Sequence, residues 1–404
     1  MKSLYIVFLA AAAILFSSCG SSETDSASKV KTLDIAGAIT GHQVAKLSDF
    51  CSNLEYIKLE TTASSLLNGR ERVSIIGNDI FFWDYIVGNS YCYVFGPDGS
   101  FKGKVGEQGN GPNEYLRIEG IAADPGKNEI YIKSGNKVMV YDYNTYALKE
   151  TFPIGRNIPG MTYFLQDFTY FANNFILSGT HYFTDNPTAF FMDRSDKILF
   201  IDSLSHLEYG ADPAAEPVIG KAKNNYFAYH YNDTLTVGNR LSDTLYGYGP
   251  NLGKTPRYVI ETGKYKLKKD KSNYNECLCL SGNNIFENKS LALFLTIFQH
   301  NDRAKYIPVG NGAARLIVTG YNKSTGKTFM LDYFPELNFC AFENDIDGGA
   351  PFKVTGTGYD KMYQIIDAIT FMDLAEKSKS QKMKEVAATL TEESNPVIVT
   401  ATLK

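Results

Sequence analysis

The chain is 404 residues long and carries 40 Lys and Arg against 44 Asp and Glu, a formal charge of −4 at neutral pH. That near balance, with no basic stripe, argues against nucleic acid as a partner. Aromatic content is 13%, supplied by 27 Tyr and 26 Phe against a single Trp, a bias that suits strands.

Met1-Lys2, an apolar run from Leu4 to Phe16 and small residues before Cys19 form a secretory signal over residues 1–18, too short for the ~20 residues of a membrane span. Cys19 resembles the lipidated cysteine of a bacterial lipobox, which implies a membrane anchor through an N-terminal lipid. "GSSETDSASKVK" follows, polar and small, and reads as a flexible tether over residues 19–45. Acidic Glu23 and Asp25 behind the cysteine resemble surface-export signals of Bacteroidetes lipoproteins, so the expected location is the bacterial envelope, at the outer membrane.

From there the chain is all-β. Short apolar or alternating runs are bounded by Gly, Asn, Asp or Pro, and helical spacing is nearly absent until the C-terminal region. One pattern recurs: a strand end, a Gly or Asp, a short polar turn and another strand. Aligning Phe95, Tyr141, Met192, Tyr246 and Leu331 gives spacings of 46, 51, 54 and 85 residues. The first three each suit one four-stranded blade, and the stretch from Leu54 to Asp373 predicts a β-propeller of six such blades at roughly 50 residues per blade. The domain spans residues 46–404, and "LEYIKL" near its start is placed to complete the last blade and remove an exposed edge.

"GEQGNGPNEY" lies between Val105, which ends the outer strand of one blade, and Ile118, near which the next inner strand begins. It lacks the Lys-Ser/Thr of a phosphate loop, and Pro112 removes an N–H from any cradle, so it reads as a crossing over the face of the disc. Near the C-terminus, "DLAEKSKSQKMKEVAATL" predicts one short helix before a last strand, "VIVTATL".

Together "LEYIKLETT", "GEQGNGPNEY", "ENDIDGGAPF" and "NPVIVTATLK" resemble, in this order, six-bladed β-propeller lipoproteins of gut Bacteroidetes, over Leu54 to Lys404. The resemblance implies the fold and an envelope lipoprotein, with no common activity. Lys353 and Val354 stand where that family commonly carries an aromatic residue.

No catalytic motif emerges. Five histidines form no HExxH or HxH, and no GxSxG elbow is present. Glu343, Asp345 and Asp347 alternate before Gly348 as in a calcium loop, but Val354 occupies the position that needs a bidentate Glu. A capped turn is the simpler expectation, with calcium as the cofactor alternative. Cys277 and Cys279 share one strand face without a companion ligand and read as core. The basic run from Lys264 to Ser272 reads as a solvated loop.

These observations predict a monomeric binding or scaffold module for a glycan, a peptide or an envelope protein. Candidate ligand-binding residues are Asn110, Asn113, Glu114 and Tyr115 on the crossing, with Asp345 and Asp347. The alternative is a carbohydrate-active enzyme, a glycosidase or lyase with a carboxylate pair near the propeller axis.

Overall fold

The computed structural model describes residues 30–158, 163–181, 187–203, 226–240, 242–268, 273, 276–281, 285–306 and 316–404. The signal segment, Cys19 and the tether as far as residue 29 lie outside them.

Six antiparallel sheets form the blades of a propeller. Blade 1 contains Arg72–Ile76, Asp79–Trp83, Cys92–Phe95 and Phe101–Lys104. Blade 2 contains Gly120–Asp124, Glu129–Ser134, Lys137–Asp142 and Leu148–Pro153. Blade 3 contains Tyr163–Phe171, Asn174–His181, Pro187–Met192 and Ile198–Ser203. Tyr226–Tyr231, Thr234–Asn239, Thr244–Tyr248 and Lys254–Glu261 make blade 4. In blade 5 the first strand is broken into Leu278–Leu280 and Phe286–Glu287, both paired with Leu291–Phe298, after which come Leu316–Asn322 and Lys327–Met330. The first strands of blades 2 and 3, 4 and 5, 5 and 6, and 6 and 1 contact one another beside the axis.

Closure is made as the sequence predicts. Gly356–Thr357, Lys361–Ile366 and Val397–Leu403 form three strands of blade 6, and Cys51–Lys58 from the other end of the chain supplies the fourth, with Tyr56 opposite Val399. Asn395, 1% exposed, locks this seam. Its Oδ1 accepts from Leu67 N at 2.9 Å, and its Nδ2 donates to the carbonyls of Glu60 and Ser65, each at 2.8 Å.

The second strands read as continuous apolar runs because both faces are covered, as in "DIFFW" and "LALFLTIF", buried at every position. The recurring polar turn has a common cause. Asp98, Asp142, Asp193, Asn251 and Asn322 each accept a backbone N–H two residues on, at 2.8–3.1 Å, which folds the hairpin between the third and fourth strands. In blade 5 this places Tyr321, not Leu331, at the position equivalent to Phe95, Tyr141 and Met192, and in blade 4 the equivalent residue is Tyr248 rather than Tyr246. Leu331 instead precedes an additional hairpin, Asp332–Phe334 with Phe339–Ala341, which lengthens that repeat.

Two segments differ from the sequence reading. Within the expected tether, Lys31–Asp34 adds a parallel strand to blade 4, and the helix Ile35–Thr40 buries Ile35 and Ile39. The single C-terminal helix is two, Ala368–Lys377 and Gln381–Ala387, inserted between strands of blade 6. Ser378 turns to extended backbone and Ser380 caps the second helix by accepting from Met383 N at 3.2 Å. Described cysteines form no disulfide and all are buried; Cys277 and Cys279 pack with Leu267 and Ile297.

Between blades 4 and 5 lies a buried polar knot. Glu287 Oε1 accepts from Arg257 Nη2 at 2.7 Å, Lys323 Nζ at 2.7 Å and Tyr258 OH at 2.9 Å. Lys323 Nζ also stands 3.6 Å over the ring centroid of Tyr231.

Candidate functional site at the propeller axis

The crossing from blade 1 to blade 2 runs from Val105 to Glu119, and its glycines have identifiable work. Gly106 holds φ +68°, and an added Cβ would meet Tyr141 Oη at 2.3 Å, so only glycine fits. Glu114 folds the loop on itself by accepting from Gly111 N at 2.8 Å. Lys137 Nζ clamps it from blade 2 by donating to the carbonyls of Glu114 at 2.7 Å and Pro112 at 3.2 Å. Tyr115 is fully buried and donates to Val105 O at 3.2 Å, which makes it a packing residue. Asn110 and Glu114 line a cleft of about 370 Å³ together with Leu116, Arg117 and Lys137. Asn113 is exposed outside it.

Arg117 and Glu119 carry that cleft into a larger mouth of about 510 Å³, walled by residues of blades 1, 2 and 3. Blade 1 contributes Arg72 and Tyr85, the hairpin of blade 2 contributes Lys133 and Asn136, and the next crossing contributes Arg156. Arg72 and Asp167 also line the axial cavity of about 770 Å³, together with Glu71 beside Arg72 and with Tyr229 and Phe286 from blades 4 and 5. The three cavities form one funnel from the crossing loops to the axis.

Its charges differ in how they are held. Glu119 is shared: Arg117 reaches it at 2.7 Å and Lys133 also pairs with it. Burial alone would raise the Glu119 carboxyl, but the two cations hold it below its ordinary value. Arg156 Nε lies 3.3 Å from buried Asp196. Arg72 makes no ion pair within 4.0 Å among the described residues; its guanidinium lies 5.3 Å from the Trp83 ring centroid and 4.9 Å from that of Tyr85. Both rings follow or end the same strand, so the only Trp of the chain supports the one arginine of the mouth that no carboxylate neutralises.

Asp167 follows a break in register between Leu165 and Asp167, and such bulges re-aim side chains. Its carboxylate lines the open lumen and is solvent-exposed there, while the protein packed around that lumen pushes its pKa up, with the charge of Arg72 opposing. His230, from the first strand of blade 4, pairs with Thr169 Oγ1 through Nε2 at 2.9 Å. The ring is exposed to the lumen, and partial desolvation by the surrounding strands pushes its pKa down to about 4. The funnel can therefore offer an unneutralised guanidinium, a lumen-facing carboxylate and an exposed aromatic, Tyr85, to one ligand.

Asp345 and Asp347 line none of these cavities. Asp345 accepts from Ser48 N at 3.0 Å and Ser48 Oγ at 2.6 Å, and Glu343 pairs with Lys46 at 2.8 Å. Asp347 accepts from Tyr56 OH at 3.0 Å, Asn344 Nδ2 at 2.8 Å, Gly349 N at 3.0 Å and Ser380 Oγ at 2.7 Å. The three alternating carboxylates thus turn to three separate sets of partners. Lys264 and Lys266 of the basic run pair with Asp302 and Asp243, both at 2.9 Å.

Sequence reasoning missed Arg72, Tyr85, Arg156 and Asp167. A signal was present in "FLQDFTYF" and "YFAYHY", where a charged or titratable residue interrupts an apolar strand, a local conflict that marks functional positions.

Among solved structures, a Bacteroides fragilis NCTC 9343 protein described as exported is similar at 16% identity, over 87% of this chain and 95% of that one, with a TM-score of 0.61. A DUF4221 family member from Bacteroides vulgatus aligns at 9% identity over 88% of this chain and 97% of that one, with a TM-score of 0.48. No curated protein matches the chain. The model of the family described as "Domain of unknown function (DUF4934)" matches residues 30–402, nearly the whole described body, and the chain belongs to that family.

Proposed function

We propose that this protein is an extracytoplasmic binding module, anchored through Cys19 to the bacterial envelope at the outer membrane, whose axial funnel takes an oligosaccharide bearing carboxylate or sulfate groups. The observation that carries the reading is the unneutralised Arg72, held on Trp83 and Tyr85 where the mouth meets the axial cavity. Cationic Arg72, Arg117, Lys133 and Arg156 outnumber anionic Glu119 and Asp167 in the mouth, which favours an anionic ligand. Tyr85 is 47% exposed and adds an aromatic surface for a sugar ring. Both cavities fall within the usual range of ligand sites, ~300–1,000 Å³. The similar exported protein supports the compartment.

The test is a thermal-shift screen of the purified chain against acidic and neutral oligosaccharides, peptides and divalent ions. A ligand present at a hundred times its Kd adds about 2.7 kcal/mol to the folded state. A shift with acidic oligosaccharides that disappears in Arg72→Ala supports the reading; equal shifts in both proteins overturn it. Anchoring is tested separately: labelled fatty acid should enter the wild type and not Cys19→Ala.

A second reading has its own observation. Asp167 and Glu71 both line the axial cavity, and a carboxyl of raised pKa is what a general acid requires. Cleavage of the bound oligosaccharide, lost in Asp167→Asn while binding persists, would establish a glycosidase or lyase.

A further inference from the structure

Beside the axial channel, between the middle strands of blade 5 and the segment that leads into blade 6, lies a partly open cavity of about 190 Å³. Its walls are apolar: Leu293, Leu295, Val318, Leu331 and Phe339. Phe286 and Thr355 line both this pocket and the axial cavity, so they form the partition between the two. The pocket contains one charged side chain, Lys353, whose Nζ stands 4.4 Å from the Phe339 ring centroid.

Lys353 differs from the deeply placed lysines of the blades, which have carboxylate partners: Lys133 has Glu119 and Lys323 has Glu287. For Lys353 no carboxylate lies within 4.0 Å and no acceptor is in hydrogen-bond reach among the described residues. Its surroundings are those of a desolvated ammonium, and burial lowers its pKa with nothing opposing. An ammonium held against apolar walls without a counter-ion is costly, and a ligand that brings an anion relieves that cost. Cys340 completes the wall as a neutral thiol, pushed up to about 11 mainly by burial.

Size sets the rest of the ligand. A dry cavity of ~150 Å³ lined by aliphatic and aromatic side chains accepts benzene. The present pocket is somewhat larger, so it fits one phenyl ring or a chain of about six carbons by the same measure. We propose that this pocket is a second binding site, for a small monocarboxylate with an apolar body of that size, its carboxylate on Lys353 and its body among Leu293, Leu295, Val318 and Phe339. The site is independent of the axial funnel reading: its ligand is apolar with one charge, and its key residue lines neither the mouth nor the axis.

The experiment is isothermal titration of the purified chain with phenylacetate and with two shape-matched probes, 2-phenylethanol and 2-phenylethylamine. The expected result is that phenylacetate binds at least tenfold more tightly than the alcohol and that the amine does not bind. Lys353→Met should abolish the preference for the acid while the alcohol still binds, and Lys353→Arg should restore most of it. Leu295→Trp, which fills the pocket, should remove binding of both. Thermal melts of each variant confirm that it is folded. Equal binding of acid and alcohol, an undiminished preference in Lys353→Met, or no binding of phenylacetate at millimolar concentration overturns the proposal.

Discussion

Glu287 of blade 5 and Asp167 of blade 3 both occupy first strands near the axis, and their surroundings are opposite. The Glu287 side chain is fully buried and is held by Arg257, Lys323 and Tyr258. Asp167 has no such ring; its nearest charge effect comes from Arg72 across the lumen. One carboxylate is committed to joining two blades, whereas the other remains available to whatever enters the funnel. The same contrast separates Asp347, saturated by four protein donors, from Arg72, which has none of its charge neutralised by a partner within ion-pair distance among the described residues.

The comparison is broken most severely by Glu287→Gln. Removing the charge leaves two buried cations without their anion, and breaking such a group costs about 3–5 kcal/mol. Denaturant unfolding should show it as a lower midpoint. Asp347→Ala comes next: it strips acceptors from Tyr56, Asn344, Gly349 and Ser380, and a loss of about 1–3 kcal/mol is expected, equally with and without added calcium. A calcium-dependent loss would instead place the ion there.

Asp167→Asn should act in the other direction. The folded state holds the Asp167 proton more tightly than the unfolded chain does, so at neutral pH the ionised carboxylate costs stability. Asn removes that cost, and the variant should melt higher than wild type at neutral pH, with the gain fading as pH falls through the raised carboxyl pKa. His230 has the reverse linkage to acid. Its folded pKa lies at about 4 against an ordinary 6.5, so the unfolded chain takes up a proton that the folded one refuses as pH falls through this window. Wild type should lose stability there, and His230→Gln should flatten that part of the profile. The smallest effect belongs to Asn113→Ala, an exposed position expected to stay within about 0.5 kcal/mol of wild type.

Much of the propeller was legible because its repeat has a local cause. The Asx turns at Asp98, Asp142, Asp193, Asn251 and Asn322 are short-range chemistry, visible wherever an Asp or Asn follows an apolar or aromatic strand end. Leu331 misled the alignment because an inserted hairpin repeats the same apolar pattern. Residues 31–40 read as tether because their few apolar side chains find partners only on blade 4 and the adjoining core, far along the chain. The candidate site was partly legible: Asn110 and Glu114 do border the funnel, since crossings between blades end at its mouth. Arg72 and Asp167 were not, because ring closure and a bulge bring them to one cavity from different blades. Alternating acids drew attention to Asp345 and Asp347, yet their spacing encodes a turn whose donors come from Ser48, Tyr56 and Ser380.

The most direct test of the account is a binding titration of the purified chain with an acidic oligosaccharide such as an oligogalacturonate, repeated with Arg72→Ala at matched ionic strength. The account predicts saturable binding by the wild type that weakens at least tenfold in the variant, with thermal stability unchanged in the absence of ligand. Binding that survives intact in Arg72→Ala would contradict the placement of the site at the propeller axis.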